Sequence, residues 1–179
     1  MILGIGTDMV DVRRIEKLLH RFGDRFVCKI FTPQERAYCL KQHHPAAAFA
    51  KRFAAKEAAL KALGTGLRAG ITWQDFDVGN DKNGKPCLRI TPEIVWKIFG
   101  VDVQNREGAT KNPFIGMSGE KESFSETQAY ALVRAASDKL SDAANRPRKE
   151  VFGDALDIHL SLADEQPYAL AFVVISRKI

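Results

Sequence analysis

Glu57 stands in a setting that suggests chemistry. It belongs to the stretch Arg52-Phe53-Ala54-Ala55-Lys56-Glu57-Ala58-Ala59-Leu60-Lys61-Ala62-Leu63-Gly64-Thr65-Gly66. Ala, Leu, Lys and Glu are strong helix formers, so this stretch is expected to be helical. Phe49, Phe53, Leu60 and Leu63 recur at three-, four- and seven-residue steps and mark one apolar stripe. Glu57 projects from the edge of that stripe. A carboxylate partly removed from water needs a cation, a hydrogen-bond donor or a raised pKa. Arg52, Lys56 and Lys61 are near it in sequence, and Gly64-Thr65-Gly66 ends the helix with backbone that can approach a ligand closely. One carboxylate, several cations and a glycine turn together suggest a metal and phosphates.

The N-terminal segment Gly4-Ile5-Gly6-Thr7-Asp8 supplies a second carboxylate. In a strand, Leu3, Ile5 and Thr7 share one face, and Gly4, Gly6 and Asp8 share the other. Two residues without side chains leave space beside Asp8. Glycine in a strand often marks close approach by a ligand or by another backbone. Asp8 and Glu57 are therefore paired here as ligands of one divalent ion. Magnesium commonly takes one or two carboxylates plus substrate phosphate and water.

These segments carry a family resemblance. Gly4-Ile5-Gly6-Thr7-Asp8 with Arg14-Ile15 after it, the Arg52–Ala58 run with Lys61-Ala62 and Gly64-Thr65-Gly66 after it, and His159-Leu160-Ser161-Leu162-Ala163-Asp164-Glu165 followed by Tyr168–Ile175 resemble the holo-[acyl-carrier-protein] synthases. These are small bacterial 4′-phosphopantetheinyl transferases. The match covers residues 1 to about 90 and about 156 to 177. The resemblance implies a magnesium-dependent transfer of 4′-phosphopantetheine from coenzyme A to a serine of apo-acyl carrier protein, giving the holo-carrier and adenosine 3′,5′-bisphosphate. It places Asp8 and Glu57 on the metal and Lys61 on the phosphate being transferred. Lys56, Gly64, Thr65 and Gly66 would hold the nucleotide or diphosphate, with Arg52 and His159 toward the 3′-phosphate. The proton acceptor is left open between a water on the metal and Glu57. Arg14, Lys17 and Arg21 on the first helix would dock the acidic carrier protein. The resemblance also implies a homotrimer with active sites between subunits. Asp164 stands where some relatives carry His.

Length and composition agree with this reading without deciding it. The 179 residues suggest one compact domain. The 45% apolar fraction is ordinary for a globular protein. No 18-residue apolar run suggests a membrane span, and the start lacks the pattern of a signal peptide. Cys28, Cys39 and Cys87 are few, odd in number and not in CxxC spacing, which fits free thiols in a cytoplasmic protein without a zinc site. A balance of 27 basic against 22 acidic residues allows an acidic partner but does not point to nucleic acid.

The elements that must position these residues follow from periodicity. Residues 1–7 read as a strand and 12–22 as a helix burying Val12, Ile15, Leu19 and Phe22, with Arg14, Lys17 and Arg21 opposite. By itself that basic face reads as solvated surface. Thr32-Pro33-Gln34-Glu35 caps a short helix reaching about Gln42. His43-His44-Pro45 reads as an exposed break rather than a metal site. The main helix spans about 46–63. Strands at 71–79 and 87–91 join through Asn83-Gly84, and Trp73, Phe76 and Val78 read as core. A short helix is expected near Ile94–Phe99, a polar excursion from Gln104 to Glu122, helical spacing over 125–140, and a polar connector at 141–150. A hairpin at 158–176 turning at Asp164–Pro167 ends the chain. The expected fold is α+β: a single domain over 1–179, with a small, mostly antiparallel sheet packed on a long central helix in the phosphopantetheinyl transferase manner. An insertion atypical of the family falls within about 92–155.

Two other readings use the same residues. A broader transferase serving peptide or polyketide synthases would show a fused pair of such units, and the chain shows no repeat. A non-catalytic regulator could bind carrier protein or nucleotide through the basic helix, and retention of both Asp8 and Glu57 argues against it.

Overall fold

The computed structural model describes residues 1–68, 70–100 and 156–178. The expected helix at 125–140, the polar segments around it and most of the expected insertion lie outside these residues. The order is β1 (Ile2–Asp11), α1 (Val12–Ile30), α2 (Pro33–Leu40), α3 (Pro45–Leu63), β2 (Phe76–Asn80), β3 (Pro86–Ile90), α4 (Pro92–Phe99), β4 (Leu156–Glu165) and β5 (Tyr168–Arg177). The architecture is α+β, as expected. β5 is central in an antiparallel sheet ordered β1-β5-β4, and β2 and β3 form a separate antiparallel hairpin.

α3 packs against the three-stranded sheet and is more deeply buried than a single stripe implies. Ala46, Ala48, Ala50, Ala54, Ala55, Ala58, Ala59 and Ala62 are buried alongside Phe49, Leu60 and Leu63. A helix apolar nearly all round belongs inside a core. Its small side chains let β1 approach at backbone distance. A Cβ added to Gly6 would overlap the Ala58 carbonyl oxygen, and one added to Gly4 would overlap that of Ala62. The two glycines therefore make room for a helix backbone, not for a ligand.

α1 continues past its expected end. Gly23 adopts φ 47° and ψ −128°, which interrupts the helical conformation near the expected end, and a second helical stretch continues across the kink to Ile30. Ile15 and Leu19 are buried as expected, but Phe22, just before the kink, is exposed. α2 opens with the expected capping box: Thr32 Oγ1 accepts from the Glu35 N–H at 3.3 Å, and Glu35 Oε2 accepts from the Thr32 N–H at 2.7 Å. Residues Trp73–Asp75 form a 3-10 turn, so the strand expected from 71 begins only at Phe76. Thr72 is responsible, because Asp75 Oδ2 accepts from its N–H and hydroxyl and closes the turn.

The packing at Gly6 generates a prediction. Gly6→Ala should cost about 1–3 kcal/mol through overpacking, or roughly 2–12 °C in Tm, because the obstructing atom is helix backbone. Thermal unfolding measures it, and an unchanged Tm would mean that α3 does not press on this position as described.

Candidate active site

The site lies where β1 passes the C-terminal half of α3. Asp8 follows Gly4 and Gly6 on the strand face that meets the helix. Lys61, on the last turn of α3, donates to Asp8 Oδ1 at 2.8 Å and to the Thr7 carbonyl at 2.9 Å. Glu57 is one helical turn before Lys61. Its carboxyl is pushed above the ordinary Glu range, first by burial and then by the negative charge of Asp8, with Lys61 and Arg14 partly offsetting the rise. The Asp8 charge is thus felt at Glu57. Arg14, at the start of α1, is close enough to be felt there.

Glu57 and Lys61 open onto a cleft of about 470 Å³, lined also by Leu60, Gly64, Gly66, Leu67 and Trp73. The glycine turn forms one wall. Gly64 caps α3 in the left-handed region at φ 72°, with its N–H donating to the Lys61 carbonyl. Thr65 donates its hydroxyl to the Gly66 carbonyl at 3.2 Å. Trp73 forms another part of the wall and stacks on Phe53 with ring centroids 5.3 Å apart. Sequence reasoning placed Trp73 in the core. The available signal was Thr72-Trp73-Gln74-Asp75, whose capping pattern takes Trp73 out of a strand.

Two expected ligand-binding cations are elsewhere. Lys56 is fully buried, donating to Glu35 Oε2 at 2.8 Å, the Ile30 carbonyl at 2.7 Å and the Trp73 carbonyl at 2.9 Å. Three partners saturate an ammonium, so Lys56 offers nothing to a nucleotide in this arrangement. Arg52 is also buried. Its guanidinium lies 3.9 Å from the centroid of the Tyr38 ring and donates to the Ala48 carbonyl and Asn80 Oδ1, both at 3.3 Å. Arg52 Nε is buried without a hydrogen-bond partner. Helical geometry explains both positions. Residues 52 and 56 share one face and 57 and 61 another, so closeness in sequence did not bring the four together.

His159 is exposed on β4, on the sheet face away from α3. Its neighbours across the sheet are Val174 and, on β1, Ile5. Asp8 pairs with Ala171 and faces the helix, so within one chain His159 and the cleft lie on opposite sides of the sheet. Asp164 accepts from Lys51 at 3.0 Å. Lys17 and Arg21 are exposed on α1 with Arg14, and Arg21 rests over the Phe22 ring, 5.1 Å from its centroid.

The donor set can be tested against a metal. Among the described residues, no group of three or more His, Cys, Asp or Glu side chains is placed to hold one. Glu57 on the cleft wall and Asp8 beside it are oxygen donors of the kind a hard cation takes together with water and substrate oxygens, and they fit magnesium. No helix among the described residues is long and apolar enough to cross a membrane. Cys28, Cys39 and Cys87 are free thiols, and burial pushes the Cys39 thiol up to about 12.

Glu57→Gln should separate stability from chemistry. The folded protein holds the Glu57 proton more tightly than the unfolded chain, so this group's contribution is fully present below the ordinary Glu range. It is lost as pH rises through the raised value. With a chelator present, the variant should match the parent in Tm near about pH 4 and exceed it near neutrality. A variant less stable than the parent at pH 7 would contradict the assignment.

The fold agrees with comparisons to known proteins. The family model of the 4′-phosphopantetheinyl transferase superfamily matches residues 4–113. The chain is 37% identical to a holo-[acyl-carrier-protein] synthase of Cereibacter sphaeroides over 178 residues, 99% of this chain and 95% of the relative. It is 53% identical to that of Koribacter versatilis over 88 residues, 49% of this chain and 70% of the relative. The crystal structure of the Neisseria meningitidis synthase superposes with a TM-score of 0.60 at 30% identity, covering 98% and 99% of the two chains. That of Bacillus anthracis, in complex with coenzyme A (3′,5′-ADP), superposes with a TM-score of 0.57 at 27% identity, covering 100% and 99%. The chain therefore belongs to the 4′-phosphopantetheinyl transferase superfamily, within its holo-[acyl-carrier-protein] synthase family of transferases.

Proposed function

We propose that this transferase moves 4′-phosphopantetheine from coenzyme A to a serine hydroxyl of apo-acyl carrier protein, with magnesium, releasing adenosine 3′,5′-bisphosphate. The single observation that carries the chemistry is that Glu57 and Lys61 line one cleft while Lys61 holds the Asp8 carboxylate beside it. The serine oxygen forms a bond to the β-phosphorus as the bond from that phosphorus to the bridging oxygen breaks. The electron pair leaves with the bisphosphate. The serine proton goes to Glu57 or to water.

Asp8 and Glu57 would hold the ion, and magnesium bound there would offset negative charge on the diphosphate oxygens. Lys61 reaches the cleft on a flexible stem and places a cation beside the transferring phosphate. The Gly64–Gly66 turn lets backbone approach the donor. Trp73 and Leu67 give the cleft an apolar side suited to the pantetheine arm or the adenine. Arg14 stands between the carboxylates and the exposed basic face that includes Lys17 and Arg21. It can hold an acidic carrier with its serine toward the cleft. Three free thiols support a cytosolic setting.

The working form is a homotrimer with shared sites. The sheet face away from α3 presents Ile5, Met9, Leu170 and Phe172 as neighbours, each between 42% and 61% exposed. An apolar patch of this kind supports a subunit contact. Assembly through it would let one chain's His159 serve a neighbour's cleft, where its own chain cannot bring it. The mass in solution should be three chains, and Phe172→Asp should reduce it to one. A parent protein of single-chain mass would remove the shared site.

The deciding assay incubates the protein with coenzyme A, magnesium and apo-acyl carrier protein and reads the carrier by intact mass. The carrier should gain one phosphopantetheine, and Asp8→Asn should lower kcat by about a hundredfold or more. Arg14→Glu should raise KM for the carrier by about tenfold while leaving that for coenzyme A nearly unchanged. The parent's KM for the carrier should also rise with salt. A carrier unchanged in mass at any enzyme level would exclude the transfer. Equal effects of Arg14→Glu on both substrates would move Arg14 to the nucleotide side.

A further inference from the structure

Lys56 and Glu35 are the largest investment of buried charge among the described residues, and neither touches the cleft. Both side chains are fully buried, and the ion pair is 2.8 Å long. Every acceptor position around them is directional. Glu35 Oε2 also accepts from the Thr32 N–H at 2.7 Å, and Oε1 accepts from the Val78 N–H at 2.8 Å. The Thr32 hydroxyl donates to Asp77 Oδ1 at 2.6 Å, and Asp77 Oδ2 accepts from Arg89 at 2.8 Å. Lys56 adds the Ile30 carbonyl at the end of α1 and the Trp73 carbonyl on the cleft wall. One ammonium thus ties α3 to α1, α2 and the turn that carries Trp73.

A buried ion pair is weak evidence for stability, since hydrophobic substitutes often do as well or better. What it does supply is direction. Where α3 meets β1, alanines lie against glycines, and Lys61 ties the two elements at the exposed end of the helix through Asp8 and the Thr7 carbonyl. Lys56 gives that helix three fixed hydrogen bonds one residue before Glu57 and five before Lys61. A roll of α3 would break them and turn both cleft residues away from Asp8. Through its Trp73 bond the same ammonium fixes the opposing wall.

We propose that the Lys56–Glu35 pair is a positioning device, which sets the azimuth of α3 and the place of Trp73 so that Glu57, Lys61 and the cleft wall meet the donor in register. This rests on the reading of the cleft as the transfer site. Lys56 is a positioning residue and not a catalytic one.

The test replaces the pair with neutral residues of similar size, Lys56→Met with Glu35→Gln, and in parallel uses Glu35→Gln alone. The chain has two tryptophans, so a Trp96→Phe background makes fluorescence report Trp73 alone. The double variant should fold with a lowered Tm, because the Ile30 and Trp73 carbonyls lose their donor. Its Trp73 emission should shift to the red with greater quenching by acrylamide, and kcat should fall about 10- to 100-fold with a smaller change in KM for coenzyme A. Glu35→Gln alone should shift both readouts in the same direction by less. Parent-like Trp73 fluorescence and kcat in a folded double variant would overturn the proposal. So would failure of both variants to fold, or recovery of full kcat on cooling, since either makes the pair a stability element only. Fluorescence and Tm do not depend on transfer. If the parent itself fails to modify carrier protein, the functional reading falls while the Trp73 measurement still decides whether the pair fixes the wall.

Discussion

The contact between the backbones of β1 and α3 is the constraint on which the site depends. Gly4 and Gly6 lie against the carbonyls of Ala62 and Ala58, with no room for a side chain between them. At that distance Asp8 is brought under the last turns of the helix. Its carboxylate takes the Lys61 ammonium and raises the proton affinity of Glu57. A larger residue at either glycine would push the strand away from the helix and draw the carboxylates apart. The alanines of α3 serve the same purpose from the other side. Packing and chemistry are therefore one requirement here, since the small residues that seat the helix also set the separation of the charged groups.

Two lysines of α3 show how position on the helix decides the use of a charge. Lys61 lies at the solvent edge, half exposed, with Asp8 and the Thr7 carbonyl as partners. Lys56 points into the protein, where burial lowers its affinity for the proton and Glu35 offsets that cost. Burial likewise raises the Glu35 carboxyl, with Lys56 acting against it. The pair remains acceptable because each polar atom has a directed partner. Glu57 lies between these extremes, half-buried beside a like charge and offset only in part. Such a group is costly to the fold and useful at a site that awaits a cation or a proton.

Much of this was legible in the sequence, and what was not has physical reasons. The helices announced themselves through periodicity, through the Thr32–Glu35 capping box and through Gly64 at the end of α3. Asp8 and Glu57 could be paired because residue types and spacing limit what a strand and a helix can present to one another, whereas Lys61 stood out from the neighbouring cations only through the family resemblance. Gly4 and Gly6 were ambiguous, since a ligand and a backbone both call for an absent side chain. Only the three-dimensional partner separates the two. Lys56 and Arg52 were misplaced because charge suggests exposure, and nothing local encodes a buried acceptor such as Glu35, 21 positions earlier. Phe22 fitted a helical face that Gly23 then bent away from the core. Trp73 was hidden by its neighbour Phe76, which does enter the strand and the core.

β1 has a final consequence for how the fold is organised. Alternate residues of this strand serve different tasks: Gly4, Gly6 and Asp8 face α3 and the cleft, while Ile5 and Met9 face outward with Leu170 and Phe172. A one-residue slip against β5 would exchange these sets, moving the carboxylate to the apolar face and apolar side chains against the helix carbonyls. The register is thus held by two penalties at once, steric on one side and electrostatic on the other. His159 belongs to the outward set through its pairing with Val174. The sheet therefore separates the residues a chain supplies to its own cleft from those it can offer to another molecule. For His159 to meet a donor bound at Glu57 and Lys61, that donor must be held by a second chain.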